Sequence, residues 1–296
     1  MYDAGVESLP LVRLFVGPLL LVGLTTLGAV LARPGRIVLP LVCSVSGGLA
    51  VFLLPSPVPL FAEVLGLLAF GFNMRMLDVV RRRDPDVWAR LILAMLVYDP
   101  AGIRPSRPRL DVATLIAGFG FGVLAIASLV LGAYTRGLVR TVAGMVFFYA
   151  FLAGPDAFAH TVFAAIGLDL PRLQRSPVRA RSATELWGRR WNREVGSWLE
   201  RWCFRPLSRR GHPVLGVAAA FGFSALLHAV PTWAVVGPAY GLQMGAFFLV
   251  HGVIVLVEAR LGVTRWRPVF AHAWTLVMFV GTAPLFVEPG FAVFGV

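Results

Sequence analysis

The chain has 296 residues, 58% of them hydrophobic and only 14% charged, with a mean hydropathy of +0.78. Soluble domains carry nearer a quarter charged residues, so the composition excludes a soluble fold and points to an all-α polytopic membrane protein. The formal charge of +12 comes from 27 basic residues, all arginine. In so apolar a chain they mark loops on the cytoplasmic side of a membrane and not a nucleic-acid surface.

Eight crossings are predicted in chain order: 11–32, 37–54, 58–80, 112–133, 141–168, 214–230, 234–259 and 268–286. No cleavable signal peptide is expected, because 1–10 carries Asp3 and Glu7 and the first apolar run is too long for a signal core. Pro55, Pro57 and Pro59 form a turn after the second crossing, and Arg81, Arg82 and Arg83 stop the third. Asp86–Tyr98 is apolar on one side and too short to cross, which suits an interfacial or re-entrant segment. Gly154-Pro155-Asp156 is expected to kink or interrupt the fifth crossing. With the amino terminus outside, 24 arginines fall on inner loops and only Arg13, Arg136 and Arg140 fall outside. The long polar interval 169–213 then faces the cytoplasm. No repeat or domain boundary is visible, so 1–296 is taken as one domain. Cys43 and Cys203 show neither metal-ligand spacing nor a plausible disulfide, and no metal is expected.

Within the polar interval, Ser182-Ala-Thr-Glu185 has the spacing of a capping box, and Pro206 is placed to end the helix it starts. Trp187, Trp191, Trp198 and Trp202 fall within about 60° of one another at 100° per residue. Arg189, Arg190, Arg193 and Arg201 lie mostly on the other side. The pattern predicts one amphipathic helix at the water–bilayer boundary, with Trp198 and Trp202 as interfacial anchors. Its arginines suit either anionic headgroups or the phosphates of a nucleotide cofactor. Asn192 belongs to neither face and is a candidate for polar chemistry.

His228 sits in an otherwise apolar span, on one face with Phe221 and Ser224. It is either a histidine bonded to a helix backbone or a neutral general base. His251 and Glu258 are seven apart on the next span and suit one chamber wall, though Glu258 also suits an interfacial place beside Arg260. Glu63, Asn73, Asp156, His160, Gln243 and His272 are scattered and expected to be structurally satisfied. No G-x-S-x-G elbow, Walker-type phosphate loop or H-E-x-x-H pair occurs.

Three motifs in order then resemble the wax synthase branch of the membrane-bound O-acyltransferases. They are Leu186-Trp-Gly-Arg-Arg-Trp-Asn192, Ser224-Ala-Leu-Leu-His228, and Phe247-Phe-Leu-Val-His251-Gly252 with Glu258 beyond. The resemblance covers Ser176–Glu258, and the first 160 residues match only in hydropathy. It implies transfer of an acyl group from acyl-CoA, as co-substrate, to a lipophilic alcohol at a site reached from the bilayer. It implies His228 as the catalytic histidine and places Asn192 on the second polar position. With that donor, Arg189, Arg190, Arg193, Trp187 and Trp191 are the expected coenzyme A contacts, and Ser224, His251 and Glu258 line the substrate chamber. No tightly bound cofactor is expected. Leu186 replaces a usual Phe, and Ala229 stands where the family often has Glu. A sterol, terpenoid or other small alcohol as acceptor, or a non-catalytic lipid-binding role, remain alternatives. The expected location is a bacterial inner membrane, with 169–213 cytoplasmic.

Overall fold

The computed structural model describes residues 4–33, 37–53, 58–82, 84, 86–96 and 98–296, with side chains from residue 14 onward. Pro55, Pro57, Arg36 and Arg83, and the side chain of Arg13, lie outside the described residues. The architecture is helical, as expected where lipid offers no partner to the backbone. Helices α1 (Ala4–Leu31), α2 (Val38–Leu53), α3 (Pro59–Arg82), α4 (Val87–Met95), α5 (Val112–Tyr134) and α6 (Gly137–Ala165) come first. After the polar interval come α10 (Pro213–Val236), α11 (Pro238–Leu261), α12 (Pro268–Thr282) and α13 (Pro284–Val293). Among the described residues, six helices are long and apolar enough to cross a membrane, or seven if α12 and α13 form one broken span. The expected count of eight is not confirmed by length: the described part of α2 has 16 residues, fewer than the ~20 usual for a crossing.

The chain packs as two units. The first holds 1–100 with 226–242 and 292–295. Its cores join Ala29, Met76, Val79 and Leu93, and Leu21, Val51, Leu65 and Ala69. Helix α4 starts at Asp86, whose carboxylate accepts from Trp88 N–H and Ala89 N–H. It buries Arg90, Leu93 and Ala94 and exposes Trp88 and Ile92. Arg90 donates to the carbonyls of Ala29 (2.9 Å) and Val30 (3.2 Å). These are among the last carbonyls of α1, which have no partner within their own helix, so a buried guanidinium is compensated there.

The second unit holds 101–225 with 243–291 and 296. Its α5 presents Ile116, Phe119, Val123 and Ile126, each about two-thirds exposed, which suits contact with lipid. Helix α6 runs as one helix through Pro155, so of the kink or interruption expected there the interruption is absent. A two-residue antiparallel pair, β1 (Arg104–Pro105) with β2 (Leu168–Asp169), ties the entry of α5 to the exit of α6. An Arg109–Asp169 ion pair at 2.7 Å reinforces it. The break falls instead between α12 and α13, bent by 45°. Pro284 opens α13 and brings no N–H with which to continue the preceding ladder. Helix α13 sits close to α5 and α6 at glycines: a Cβ on Gly132 would meet the Phe291 ring, and one on Gly144 would meet Val287.

Candidate active site

The tryptophan-rich stretch is not one helix. Ala183–Glu185 forms a helical turn, α7, that passes into a π-helical turn at Leu186–Arg190. Trp191 is then extended and Asn192 is left-handed, at φ 33° and ψ 65°. Helix resumes as α8 (Arg193–Leu199), a second π turn (Glu200–Phe204) and α9 (Arg205–Ser208). Asparagine is among the few residues that tolerate the left-handed region. Pro206 lies in the first turn of α9, directly after the π turn, and the segment continues through it to Ser208 instead of ending there. The break redirects the indoles. Trp198, expected at the interface, is buried against Phe223 and Trp202, with ring centroids 5.2 and 6.1 Å apart.

The capping box forms with a shift. Ser182 Oγ accepts from Glu185 N–H at 2.9 Å, but Glu185 reaches back to Arg181 N–H, at 2.8 Å. Partial burial works to raise the Glu185 carboxyl. The Arg181 N–H and the Arg190 guanidinium outweigh it and hold the group below its ordinary value.

Helix α11 fastens this segment at two points seven residues apart. Glu258, only 2% exposed, accepts from Ala183 N–H (2.8 Å), Thr184 N–H (3.2 Å) and Trp274 Nε1–H (3.1 Å). It is therefore not an interfacial acid beside Arg260: it caps α7, where a carboxylate is favoured by the free N–H groups. One level down, Trp187 Nε1–H lies 3.0 Å from His251 Nδ1. Indole can only donate, so Nδ1 accepts and the ring hydrogen is on Nε2. Nε2 lies 2.9 Å from Thr282 Oγ1, which donates on to the Met278 carbonyl at 2.8 Å. Every donor and acceptor in this chain is used. Trp187 also packs edge-on against Phe221 and Phe247 and beside Phe248 and Phe279. Such pairs add about 0.5–1.5 kcal/mol each beyond burial. Thr282 and Trp274 carried no signal in the sequence, because neither stands out by type or spacing.

Asn192 caps α8, its Oδ1 3.5 Å from Val195 N–H, and its own N–H points to Gln174 Oε1 at 3.4 Å. Arg193 N–H bonds the Leu173 carbonyl (3.0 Å) and Arg175 N–H bonds the Arg190 carbonyl (2.8 Å), so 173–175 runs beside 190–193. Among the expected cofactor arginines, Arg190 is engaged by Glu185 at 2.7 Å and by the carbonyls of Arg175 and Ser176. Arg193 bonds the Arg172 carbonyl, and Arg189 is exposed. A groove of about 530 Å³ opens alongside, between α5, α6 and 172–176. Phe121, Tyr149 and Asp156 line its helical walls, and Arg172, Gln174 and Arg175 its polar rim.

His228 lies on α10 beyond the point where the helix passes into the first unit; Ser224, buried, precedes it in the second. His228 is half-buried. Its carbonyl accepts from Thr232 Oγ1 at 2.9 Å, and that hydroxyl is also 3.0 Å from Glu63 Oε1 on α3. Of the scattered polar residues, Asn73 bonds the Ala69 carbonyl, Gln243 the Pro284 carbonyl and His272 the Ala180 carbonyl. Asp156 and His160 stand 3.7 Å apart. Glu63 departs from the satisfaction expected of it, since its Oε2 is buried and has no hydrogen-bond partner among the described residues.

Residues 170–250 match the membrane bound O-acyl transferase family, the family that the motifs resemble. A probable long-chain-alcohol O-fatty-acyltransferase 2 of Arabidopsis thaliana is 30% identical over 111 residues, covering 35% of this chain and 32% of its own. The probable long-chain-alcohol O-fatty-acyltransferase 7 of the same plant is 31% identical over 132 residues, 40% and 39% of the two chains. The long-chain-alcohol O-fatty-acyltransferase of Simmondsia chinensis is 29% identical over 170 residues, 50% and 44% of the two chains. The match thus spans from about a third to under half of these relatives' length. All three are plant proteins, and none supports the expected bacterial inner membrane.

Proposed function

With residues 170–250 carrying the membrane bound O-acyl transferase match, we propose that this integral membrane protein transfers an acyl group from acyl-CoA to a lipophilic alcohol. The observation that carries the proposal is that this one matched interval contains both Asn192 and His228, between relatives that are named for acylating long-chain alcohols. His228 takes the proton of the alcohol as its oxygen bonds to the thioester carbonyl carbon. The carbon–sulfur bond then breaks, and the imidazolium returns the proton to the departing thiolate. Asn192 orients the reacting groups or donates to the developing oxyanion. Arg189 and Arg193, with Arg172 and Arg175 at the groove, supply charge for the phosphates of the donor. The excess of arginine on 172–210 favours a cytoplasmic position for this side.

The test is release of free coenzyme A by purified protein given long-chain acyl-CoA and a panel of alcohols that includes fatty alcohols and sterols. His228→Ala is expected to lower turnover by at least about 10²-fold, the usual contribution of a general base. Asn192→Ala is expected to lower kcat more than it raises KM. A His228→Ala protein that keeps most of its turnover sinks the mechanism. Lipid binding without any coenzyme A release points to a non-catalytic role.

A further inference from the structure

We infer that Glu63 is a positioning residue for His228, acting through the hydroxyl of Thr232; the inference rests on the proposed role of His228. The residues belong to one packed unit. On α3, Glu63 and Gly66 are three apart and share a face. A Cβ on Gly66 would come within 2.8 Å of Pro231 Cβ, so only glycine lets α3 and α10 approach this closely. Pro231 and Thr232 are among the most deeply buried residues of the chain.

Pro231 has no N–H, so the carbonyl of Leu227 loses its bond four residues on. The turn that carries His228 is thereby weakened at its own level. Thr232 Oγ1 lies 2.9 Å from the His228 carbonyl and 3.0 Å from Glu63 Oε1. One hydroxyl hydrogen serves one acceptor at a time. Both bonds form together only when residue 63 is itself the donor: its acid O–H to Thr232, and Thr232 O–H to the His228 carbonyl. The chain then runs from one helix, across the contact, into the turn beneath the imidazole. An acid in a membrane helix is costly unless it faces the protein interior and does something there. Glu63 makes a single bond with Thr232 and leaves Oε2 buried without a partner among the described residues, so it is not spent as a multiple cap.

The experiment compares Glu63→Gln, Glu63→Leu, Thr232→Ser, Thr232→Val and His228→Ala in the acyl-CoA assay, with thermal melting in detergent as the check on folding. A glutamine amide donates to Thr232 as the acid does, so Glu63→Gln and Thr232→Ser should keep kcat within about threefold, roughly 0.7 kcal/mol. Glu63→Leu and Thr232→Val break the chain and should lower kcat by about 10- to 100-fold with KM little changed, as misplacement of a reacting group does. Wild-type kcat in both apolar variants overturns the inference, as does a rise in KM alone. Glu63→Gln as impaired as Glu63→Leu also overturns it, since a proton and not a brace would then be needed. If Glu63→Leu does not fold, the Thr232→Ser and Thr232→Val pair decides. Turnover retained by His228→Ala removes the proposed base itself, whereas a dead His228→Ala beside unaffected Glu63 and Thr232 variants removes only this inference.

Discussion

Glu258 and Glu63 are both glutamates on apolar helices, yet their surroundings give them different tasks. Glu258 collects two backbone N–H groups and an indole N–H, and so ends as a fixed cap on α7. Glu63 shares one hydroxyl with the turn below His228 and keeps an oxygen in reserve. A carboxyl group whose oxygens are all engaged is structural cement. One with an oxygen left over can affect chemistry at a neighbour.

The sharpest way to break this contrast is Glu258→Ala. It strands three donors, that of Ala183 buried and those of Thr184 and Trp274 partly so, at up to about 1–3 kcal/mol each, so a drop in melting temperature and in folded yield is expected. Little change in melting temperature would show that Glu258 is not the anchor of the signature segment. Next in size is His251→Leu, which leaves the Trp187 indole without an acceptor and should cost about 1–3 kcal/mol by the same measurement. Its loss of activity should track its loss of fold, unlike the apolar variants of Glu63.

The smallest effect sharpens the picture at the exposed end. Glu185 is held below the ordinary glutamate value of 4.5, so its carboxylate stabilises the fold fully above that pH. The contribution fades as pH falls from 4.5 through its lower folded value. Melting curves taken from pH 7 downward should show Glu185→Gln destabilised at the upper end, with the difference from wild type shrinking as the pH falls below 4.5. A constant difference across that range would mean that the charge is not what Glu185 supplies.

Much of this was legible in the residues. Helices occur at all eight expected places, because uninterrupted apolar runs leave the backbone no other way to satisfy itself. The motifs singled out Asn192, His228, His251 and Glu258 without a structure, the last three being polar residues in apolar spans. Helical periodicity failed at Trp191–Asn192, because a pattern of side chains does not report one left-handed residue. It also assigned Trp198 to the interface, and burial against Phe223 overruled it.

Composition and hydropathy alone therefore determined that this chain is a helical membrane protein with its arginines gathered in loops, and motif order determined the family it resembles. These are local properties, written in the partition of each stretch between water and lipid. Only the tertiary structure decided that the signature segment is broken at Asn192 and clamped by His251 and Glu258. It also decided that Glu63, one scattered acid among several, reaches the turn of His228. Such facts depend on which donor lies within 3 Å of which acceptor across helices far apart in sequence, and no spacing along the chain encodes that distance.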